Sequence, residues 1–184
     1  MSGILDGKIA IVTGGGTGIG EATARVFAGE GSRVIVTGRT KETIDRVAAE
    51  ISGLAFQMNV SVEEDVKALF ETCDNTYGRL DILVNNAGIT GPVSAAEDLD
   101  VAKFDETIAI NVRGVILCTK YAIPLLKRQG GSIINMSSLM GLRGYPNRSA
   151  YTASKFAVTG ITQAVAHEVG HLGIRVNALC PGAI

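Results

Sequence analysis

The segment IAIVTGGGTGIG, residues 9–20, joins a short apolar run to a glycine-rich turn that leads into a helix-like stretch. The run 9–13 is apolar on both faces, which is typical of a strand in a parallel sheet covered on both sides. Gly14, Gly18 and Gly20 give the spacing Thr-Gly-x-x-x-Gly-x-Gly. A helix N-terminus attracts phosphate through free N–H groups and its positive dipole end, and glycines let the phosphate approach the backbone. The segment therefore predicts a strand, a phosphate-binding turn and a helix.

Beyond this segment, strand-length apolar runs keep alternating with helix-length amphipathic stretches. The predicted strands span residues 9–13, 33–37, 54–59, 81–85, 131–137 and 174–180, and the predicted helices span 18–30, 41–51, 62–77, 102–127 and 150–172. This alternation predicts an α/β fold with right-handed crossovers and a doubly wound parallel sheet of Rossmann type, in the strand order 3-2-1-4-5-6. Residues 1–184 are expected to form a single domain, with ligands beyond the carboxyl ends of the strands.

The composition argues against several classes of partner and site. The chain carries 17 basic and 18 acidic side chains, interspersed, so neither nucleic acid nor a membrane is expected as a partner. No apolar run approaches the ~20 residues of a membrane-spanning helix. Three widely spaced cysteines, Cys73, Cys118 and Cys180, predict reduced thiols in a cytoplasmic protein. His167 and His171 would share a helix face, but no third ligand accompanies them, so no metal is expected.

The end of the second predicted strand bears on the choice of nucleotide. An enzyme that prefers NAD would place an acidic residue here, to bind the ribose hydroxyls. Instead, Gly38 leaves room and Arg39 offers a guanidinium group that fits a 2′-phosphate. One charge-assisted hydrogen bond contributes ~1.5–3 kcal/mol, which is enough to set a preference. NADP(H) is therefore favoured and NAD(H) stays possible, the alternative being that Arg39 is a solvated surface arginine.

Three side chains near the fifth strand could handle a proton. Tyr151 and Lys155 are four residues apart and would share a helix face, and Ser138 lies at the end of an apolar run. A phenol, an ammonium group and a hydroxyl group at the end of a strand are suited to acid–base chemistry. Chemistry alone does not choose between Ser137 and Ser138, and the Tyr–Lys spacing also occurs in ordinary surface pairs.

Taken together, these motifs resemble the short-chain dehydrogenase/reductase family, and its 3-oxoacyl-(acyl-carrier-protein) reductases in particular. The resemblance covers essentially the whole chain. It rests on six motifs in their order: residues 13–20, Asn-Asn-Ala-Gly at 85–88, Asn111, Ser138, Tyr-Thr-Ala-Ser-Lys at 151–155 and Pro-Gly at 181–182. The family spacing to the tyrosine selects Ser138 rather than Ser137.

The resemblance implies a division of labour. Tyr151 would act as general acid and base, Lys155 would tune it and hold the nicotinamide ribose, Ser138 would hold the carbonyl oxygen, and Asn111 would position a water. The implied cofactor-binding residues are Gly14, Thr17, Gly18, Ile19, Arg39, Asn59, Val60, Asn86, Ala87, Gly88, Tyr151, Lys155, Pro181 and Gly182. Met140, Arg143 and Tyr145 are expected to line the substrate pocket because of their positions.

The implied activity is NADP(H)-dependent interconversion of a carbonyl and a secondary alcohol. A 3-oxoacyl thioester is the first substrate choice, with a sugar, steroid or small ketone as the second. A non-catalytic nucleotide-binding or scaffold protein is the alternative of a different class. Relatives commonly form tetramers, so a homotetramer is expected, with a dimer next.

Two features depart from the family pattern. Asn59-Val60 stands where an aspartate and a valine often contact adenine, and an asparagine offers both an acceptor and a donor for that contact. Relatives also continue past Pro-Gly into a seventh strand, whereas the sequence ends at Ile184. The chain is therefore expected to be C-terminally truncated.

Overall fold

The computed structural model describes residues 3–182, in which six strands form one parallel sheet. The strands are β1 (Ile9–Thr13), β2 (Arg33–Gly38), β3 (Leu54–Gln57), β4 (Ile82–Asn85), β5 (Gly131–Met136) and β6 (Ile174–Leu179). Their order in the sheet is β3-β2-β1-β4-β5-β6, and every neighbouring pair is parallel. The predicted doubly wound fold and strand order are confirmed, with strand ends that differ from the predicted ones by at most two residues.

The helices connect successive strands. They are α1 (Gly18–Gly29), α2 (Lys41–Glu50), α3 (Glu63–Tyr77), α4 (Val101–Ile108), α5 (Gly114–Leu126) and α6 (Ser149–Val169). A π-helical turn at Ala109–Arg113 joins α4 to α5, so the predicted long helix over 102–127 is present but is not a regular α-helix. The last predicted helix ends in a 3₁₀ turn, Gly170–Leu172.

The helices cover the sheet on both faces, which gives the strands two apolar surfaces. Along β1, Ile9 and Ile11 join a core shared with α3, α5 and α6. Ala10 and Val12, which point the other way, join a second core shared with α1 and α2. Successive side chains of a strand alternate between faces, so this two-sided burial explains why the run 9–13 has no polar position before Thr13.

The helical segment Val101–Leu126 is long and apolar enough to cross a membrane by length and composition alone, which the sequence analysis did not anticipate. Half of its most apolar window is buried inside the protein. Such burial is what the core helix of a doubly wound sheet requires, since one face must pack against the strands.

A hydrogen-bonded network of buried polar side chains lies in the core beside β4 and β5. Asn85 and Asn135 are register partners, and the Asn85 amide donates to the Asn135 carbonyl oxygen at 2.8 Å. The Asn85 amide also donates to Thr119 Oγ1 at 3.3 Å, and the Asn135 amide donates to Thr162 Oγ1 at 2.9 Å. Both asparagines are at most 3% exposed. These hydrogen bonds link β4 and β5 to α5 and α6.

Candidate active site

The glycine-rich turn after β1 packs against the loop after β4 without room for side chains. Gly14 has a φ of +63°, and a Cβ atom there would lie 2.9 Å from the Ala87 Cα. A Cβ atom at Gly20 would lie 2.3 Å from the Gly14 carbonyl oxygen. Both approaches are closer than real Cβ contacts allow. Glycine is therefore required at both positions, and the turn opens onto the N-terminus of α1.

Thr13 fixes the turn to the loop after β4, a role that the sequence analysis did not assign. Its hydroxyl oxygen accepts hydrogen bonds from the backbone N–H groups of Asn86 and Ala87, each at 3.0 Å. In return the Asn86 amide donates to the carbonyl oxygens of Thr13 at 2.9 Å and Gly14 at 3.1 Å. The Asn86 side chain is thus engaged in holding two loops together. A polar residue closing an otherwise apolar strand was the available signal.

A first cavity, of about 200 Å³, lies between the ends of β1, β2 and β4. Its lining includes seven predicted cofactor residues, Gly14, Thr17, Arg39, Asn59, Val60, Ala87 and Gly88, and none of its lining residues is acidic. The Asn59 side-chain oxygen Oδ1 accepts from the backbone N–H of Ser61 at 3.1 Å and from the Ser61 hydroxyl at 2.9 Å. The Asn59 side chain was expected to offer adenine both an acceptor and a donor, and its acceptor, Oδ1, is thus already engaged with Ser61.

Arg39 lies exposed on the rim of this first cavity, directly after β2. Its backbone carbonyl accepts a hydrogen bond from the Gln57 amide at 2.9 Å, which fixes the main chain at this point. Within residues 3–182 its guanidinium group makes no hydrogen bond and no ion pair, whereas Arg46 nearby is held by Glu21. Arg39 is therefore the arginine on this rim that is available to a ligand.

A second cavity, of about 250 Å³, adjoins the first and shares Gly88 and Ile89 with it. Its lining brings together eight predicted site residues: Ile19, Asn86, Gly88, Ser138, Tyr151, Lys155, Pro181 and Gly182. Gly18 and Asn111 line neither cavity. Two adjoining cavities that meet at the glycine-rich loops fit an extended dinucleotide, with the phosphates beside the N-terminus of α1.

Lys155 lies behind Tyr151, with its side chain almost fully buried at 5% exposure. Its ammonium group donates to the Met136 carbonyl oxygen at 2.7 Å and lies 5.4 Å from the centre of the Tyr151 ring. Burial lowers the pKa of Lys155 to about 8, against a smaller opposing effect of Cys180. Desolvation disfavours the charged form of a lysine, so this ammonium group gives up its proton more readily than that of an exposed lysine.

The two adjacent serines after β5 have different surroundings. The Ser137 hydroxyl donates to the Lys155 carbonyl oxygen at 3.0 Å and lies 3.1 Å from Thr159 Oγ1, which engages it with α6. The Ser138 oxygen accepts from the backbone N–H of Met140 at 3.1 Å, and its own O–H stays available as a donor. Ser138 is therefore the serine that can donate to a ligand, in agreement with the family spacing.

Asn111 lies in the π-helical turn and is 1% exposed. Its side-chain oxygen Oδ1 accepts from the backbone N–H of Ile89, and its side-chain amide Nδ2 donates to the backbone carbonyl oxygen of Ile89, both at 2.8 Å. The amide also donates to Ser154 Oγ at 3.0 Å, and Ser154 donates to the Tyr151 carbonyl at 2.7 Å. The side chain thus connects the loop after β4 to the helical turn that carries Tyr151. The water-positioning role stays a prediction.

A third cavity, the outer cavity, has a volume of about 360 Å³ and shares Thr90, Ser138, Tyr151, Pro181 and Gly182 with the second. Its other lining residues are Leu139, Met140, Tyr145 and Arg148. Met140 and Tyr145 lie where the sequence analysis expected them. Arg143 does not line the cavity, because its guanidinium group donates to the Tyr145 hydroxyl oxygen, with Nε at 3.0 Å. Arg148 lines it instead, and its position three residues before Tyr151 was the signal that could have identified it.

No three His, Cys, Asp or Glu side chains come together as metal ligands in the part of the chain that the structure describes. His167 and His171 are both exposed on the outside of the protein. The hydroxyl-bearing residues Ser138 and Tyr151 and the lysine Lys155 line the second cavity together.

The chain is similar to known proteins over almost its whole length. The family model described as short chain dehydrogenase matches residues 8–184. The 3-oxoacyl-(acyl-carrier-protein) reductase FabG of Thermotoga maritima is 39% identical over 186 residues, 98% of this chain and 75% of that protein. The 3beta-hydroxysteroid dehydrogenase of Mediterraneibacter gnavus is 40% identical over 186 residues, 98% of this chain and 67% of that protein.

A solved structure extends the likeness to three dimensions. The crystal structure of 3-ketoacyl-(acyl-carrier-protein) reductase from Brucella melitensis complexed with NADH superposes with a TM-score of 0.94 and 41% identity, over 97% of this chain and 76% of that chain. Family match, sequence identity and fold therefore lead to one conclusion: the chain belongs to the short-chain dehydrogenase family of oxidoreductases.

Proposed function

We propose that the protein is an NADP(H)-dependent oxidoreductase that interconverts a ketone and a secondary alcohol. The observation that carries this proposal is that Ser138 and Tyr151 line both the second cavity and the outer cavity, with the Lys155 ammonium group behind them. A substrate in the outer cavity and a nicotinamide in the second would thus meet at two hydroxyl donors. This arrangement is what hydride transfer coupled to proton transfer requires.

When bound, the cofactor supplies the hydride that adds to the carbonyl carbon. The Ser138 O–H would donate to the carbonyl oxygen and hold it, and this hydrogen bond strengthens as negative charge develops there. The Tyr151 O–H would deliver the proton to the same oxygen, and in the oxidative direction the phenolate would take it back. The buried Lys155 ammonium group would favour the phenolate through its charge.

NADP(H) is proposed as the preferred cofactor, although the Brucella relative was solved with NADH. Two features of the first cavity support this choice. The Arg39 guanidinium group makes no contact within the described part of the chain that would compete with a 2′-phosphate, and no carboxylate lines the cavity to bind a free 2′-hydroxyl. A planar guanidinium group matches a phosphate with two parallel hydrogen bonds.

We expect Arg39→Asp to move the ratio of kcat/KM for NADPH to that for NADH toward NADH by about 10- to 150-fold, because a charge-assisted hydrogen bond is lost and a like charge is introduced. Steady-state kinetics with each nucleotide measure this ratio. Arg33→Asp is the matched control, since Arg33 is an exposed arginine at the opposite end of the same strand. An unchanged ratio in Arg39→Asp would remove Arg39 from the site.

A 3-oxoacyl thioester is the first proposed substrate, because the Thermotoga and Brucella relatives are named for that reaction. A sugar, a steroid or a small ketone is the second, as the steroid dehydrogenase among the relatives illustrates. A scaffold that binds nucleotide without turnover is the alternative class. It is disfavoured because Ser138, Tyr151 and Lys155 are all present around one cavity.

The activity itself is tested by following NADPH oxidation with 3-oxoacyl thioesters, simple ketones, a sugar and a 3-oxosteroid. We expect turnover of at least one carbonyl class, and among the four classes of this panel kcat/KM should be highest for the thioesters. Cofactor binding without turnover of any carbonyl would support the scaffold alternative and contradict the enzyme.

The proposed assembly is a homotetramer, with a dimer as the next choice. Two large apolar side chains support it, Ile116 on α5 at 41% exposure and Phe156 on α6 at 46% exposure. Both lie on helices that already cover the sheet, so their outer faces are available to a second copy. A monomer mass in light scattering would contradict this proposal.

A single domain and a cytoplasmic location complete the proposal. One sheet with a core on each face supports the single domain. The free cysteines, two of which are buried with pKa values raised to about 12 by desolvation, support a reducing compartment. Fractionation that recovered the full-length protein outside the cytoplasm would contradict the location.

A further inference from the structure

Arg148 lies directly before α6, within one helical turn of Tyr151. A helix rises about 1.5 Å per residue, so the two side chains leave the backbone close together. Both line the outer cavity, which is also bounded by Ser138. A group bound to Arg148 would therefore lie only a few bonds from a carbonyl held by Ser138 and Tyr151.

The outer cavity contains one charged residue and no counter-ion for it. Among its nine lining residues Arg148 is the only ionised side chain. Arg148 is partly buried, and its guanidinium group has no hydrogen bond or salt bridge to any residue in 3–182. By contrast, Arg128 forms a two-pronged contact with Asp74, and Arg143 donates to Tyr145. A partly buried charge without a partner is unfavourable, and an anionic ligand would remove that deficit.

The remaining walls of the cavity fit a small molecule with one anionic end. Leu139, Met140 and Pro181 supply apolar surface. The Tyr145 hydroxyl accepts from Arg143, so its own O–H is free to donate toward a ligand. A volume of about 360 Å³ lies within the range of small-molecule sites, which runs from roughly 300 to 1,000 Å³.

We propose that Arg148 determines specificity by binding an anionic group, a carboxylate or a phosphate, carried by the ketone substrate a few bonds from the reacting carbonyl. This inference rests on the proposed function and narrows its substrate class, because a neutral thioester would leave the arginine without a partner. The planar guanidinium group suits both anions, since each presents two oxygens to parallel N–H donors.

The test compares charged and neutral ketones of similar size. We expect the wild type to reduce 3-oxobutanoate with a higher kcat/KM than its ethyl ester, or dihydroxyacetone phosphate with a higher value than dihydroxyacetone, and the preferred pair identifies the anion. Arg148→Gln should lower kcat/KM for the preferred anionic ketone by about 10- to 100-fold and change the neutral partner by less than about threefold. Arg148→Lys, which keeps the charge but loses the fork, should fall between the two.

Arg175→Gln is the matched control, because Arg175 is an exposed arginine near the amino end of β6, away from the cavity. Circular dichroism melting of each variant establishes that it is folded. A ratio of charged to neutral kcat/KM that is the same in wild type and Arg148→Gln would overturn the inference.

Binding of butanoate, followed by ligand-observed NMR, separates this inference from the proposed function. If the wild type reduces no carbonyl, the proposed function fails, and butanoate binding that is lost in Arg148→Gln and kept in Arg175→Gln still supports the anion site. Equal binding of butanoate by wild type and Arg148→Gln would overturn the anion site whether or not the protein is active.

Discussion

Replacement of Tyr151 with phenylalanine is expected to lower kcat for carbonyl reduction by about 10²- to 10⁴-fold, the range that a well-placed general acid contributes. The substitution removes one oxygen atom and keeps the ring that lies 5.4 Å from the Lys155 ammonium group. Ser138 would still hold the carbonyl oxygen, but no group would deliver the proton as the hydride arrives. The loss should therefore fall on kcat, with little change in the dissociation constant of NADPH.

The measurement is single-turnover reduction of a ketone, together with a fluorescence titration of NADPH binding. Tyr121→Phe is the matched control, because the Tyr121 hydroxyl donates to Glu63 on the outside of α3 and does not line the site. It should retain the wild-type kcat. A Tyr151→Phe variant that kept kcat within threefold of the wild type would exclude Tyr151 as the proton donor.

Replacement of Lys155 with methionine is expected to abolish most of the activity and yet stabilise the fold at pH 7. Burial holds the pKa of Lys155 at about 8 in the folded protein, below its ordinary value of 10.5. This difference corresponds to roughly 3 kcal/mol of unfavourable free energy for the charged form in the folded state. Loss of the hydrogen bond to the Met136 carbonyl offsets about 0.5–1.5 kcal/mol of the gain. A net increase of about 1–3 kcal/mol in the free energy of unfolding is expected.

The gain should depend on pH in a defined direction. Between pH 8 and 10.5 the unfolded wild-type chain binds more protons at this lysine than the folded chain does, so wild-type stability rises with pH across this window. The penalty is fully present below pH 8 and absent above pH 10.5. Methionine has no such penalty, and the advantage of Lys155→Met over wild type should therefore shrink across the same window.

Urea unfolding at several pH values between 7 and 10 measures this difference. Lys127→Met is the control, since Lys127 is an exposed lysine just after α5 and should change stability little at any pH. A Lys155→Met variant less stable than wild type at pH 7 would show that the hydrogen bond to Met136 outweighs the desolvation of the ammonium group.

The sequence predicts the sheet well because a strand that is buried on both faces is a continuous run of apolar residues, which is easy to identify. The alternation of strands and helices follows from that pattern, and the strand order is the one typical of doubly wound dinucleotide-binding sheets. The π-helical turn at Ala109–Arg113 was not predicted, since a single extra residue in a turn hardly changes the spacing of apolar positions. For the same reason, the engagement of Asn111 with Ile89 could not be anticipated from the sequence.

The sequence does not predict which partner each side chain of the site contacts. Ser137 and Ser138 are chemically alike, and only the end of β5 at Met136 decides which hydroxyl meets α6 and which faces the cavity. Arg143 and Arg148 are likewise both near the active end in sequence. The two arginines differ in their contacts: the Arg143 guanidinium group donates to the Tyr145 hydroxyl, whereas Arg148 lines the outer cavity. Such contacts depend on loop geometry, which local patterns do not encode.

The hydrogen bond between the side chains of Asn85 and Asn135 helps to fix the register of β4 against β5. A slip of one residue would send one amide to the opposite face of the sheet, and a slip of two toward the amino end of β5 would set Asn85 against the apolar Ile133. Either error would leave several buried polar atoms without partners. The loops that follow these two strands carry Asn86 and Ser138, so correct alignment also sets how far each loop projects above the sheet. A defect in this pair would displace one wall of the site relative to the other, even with every residue of the site unchanged.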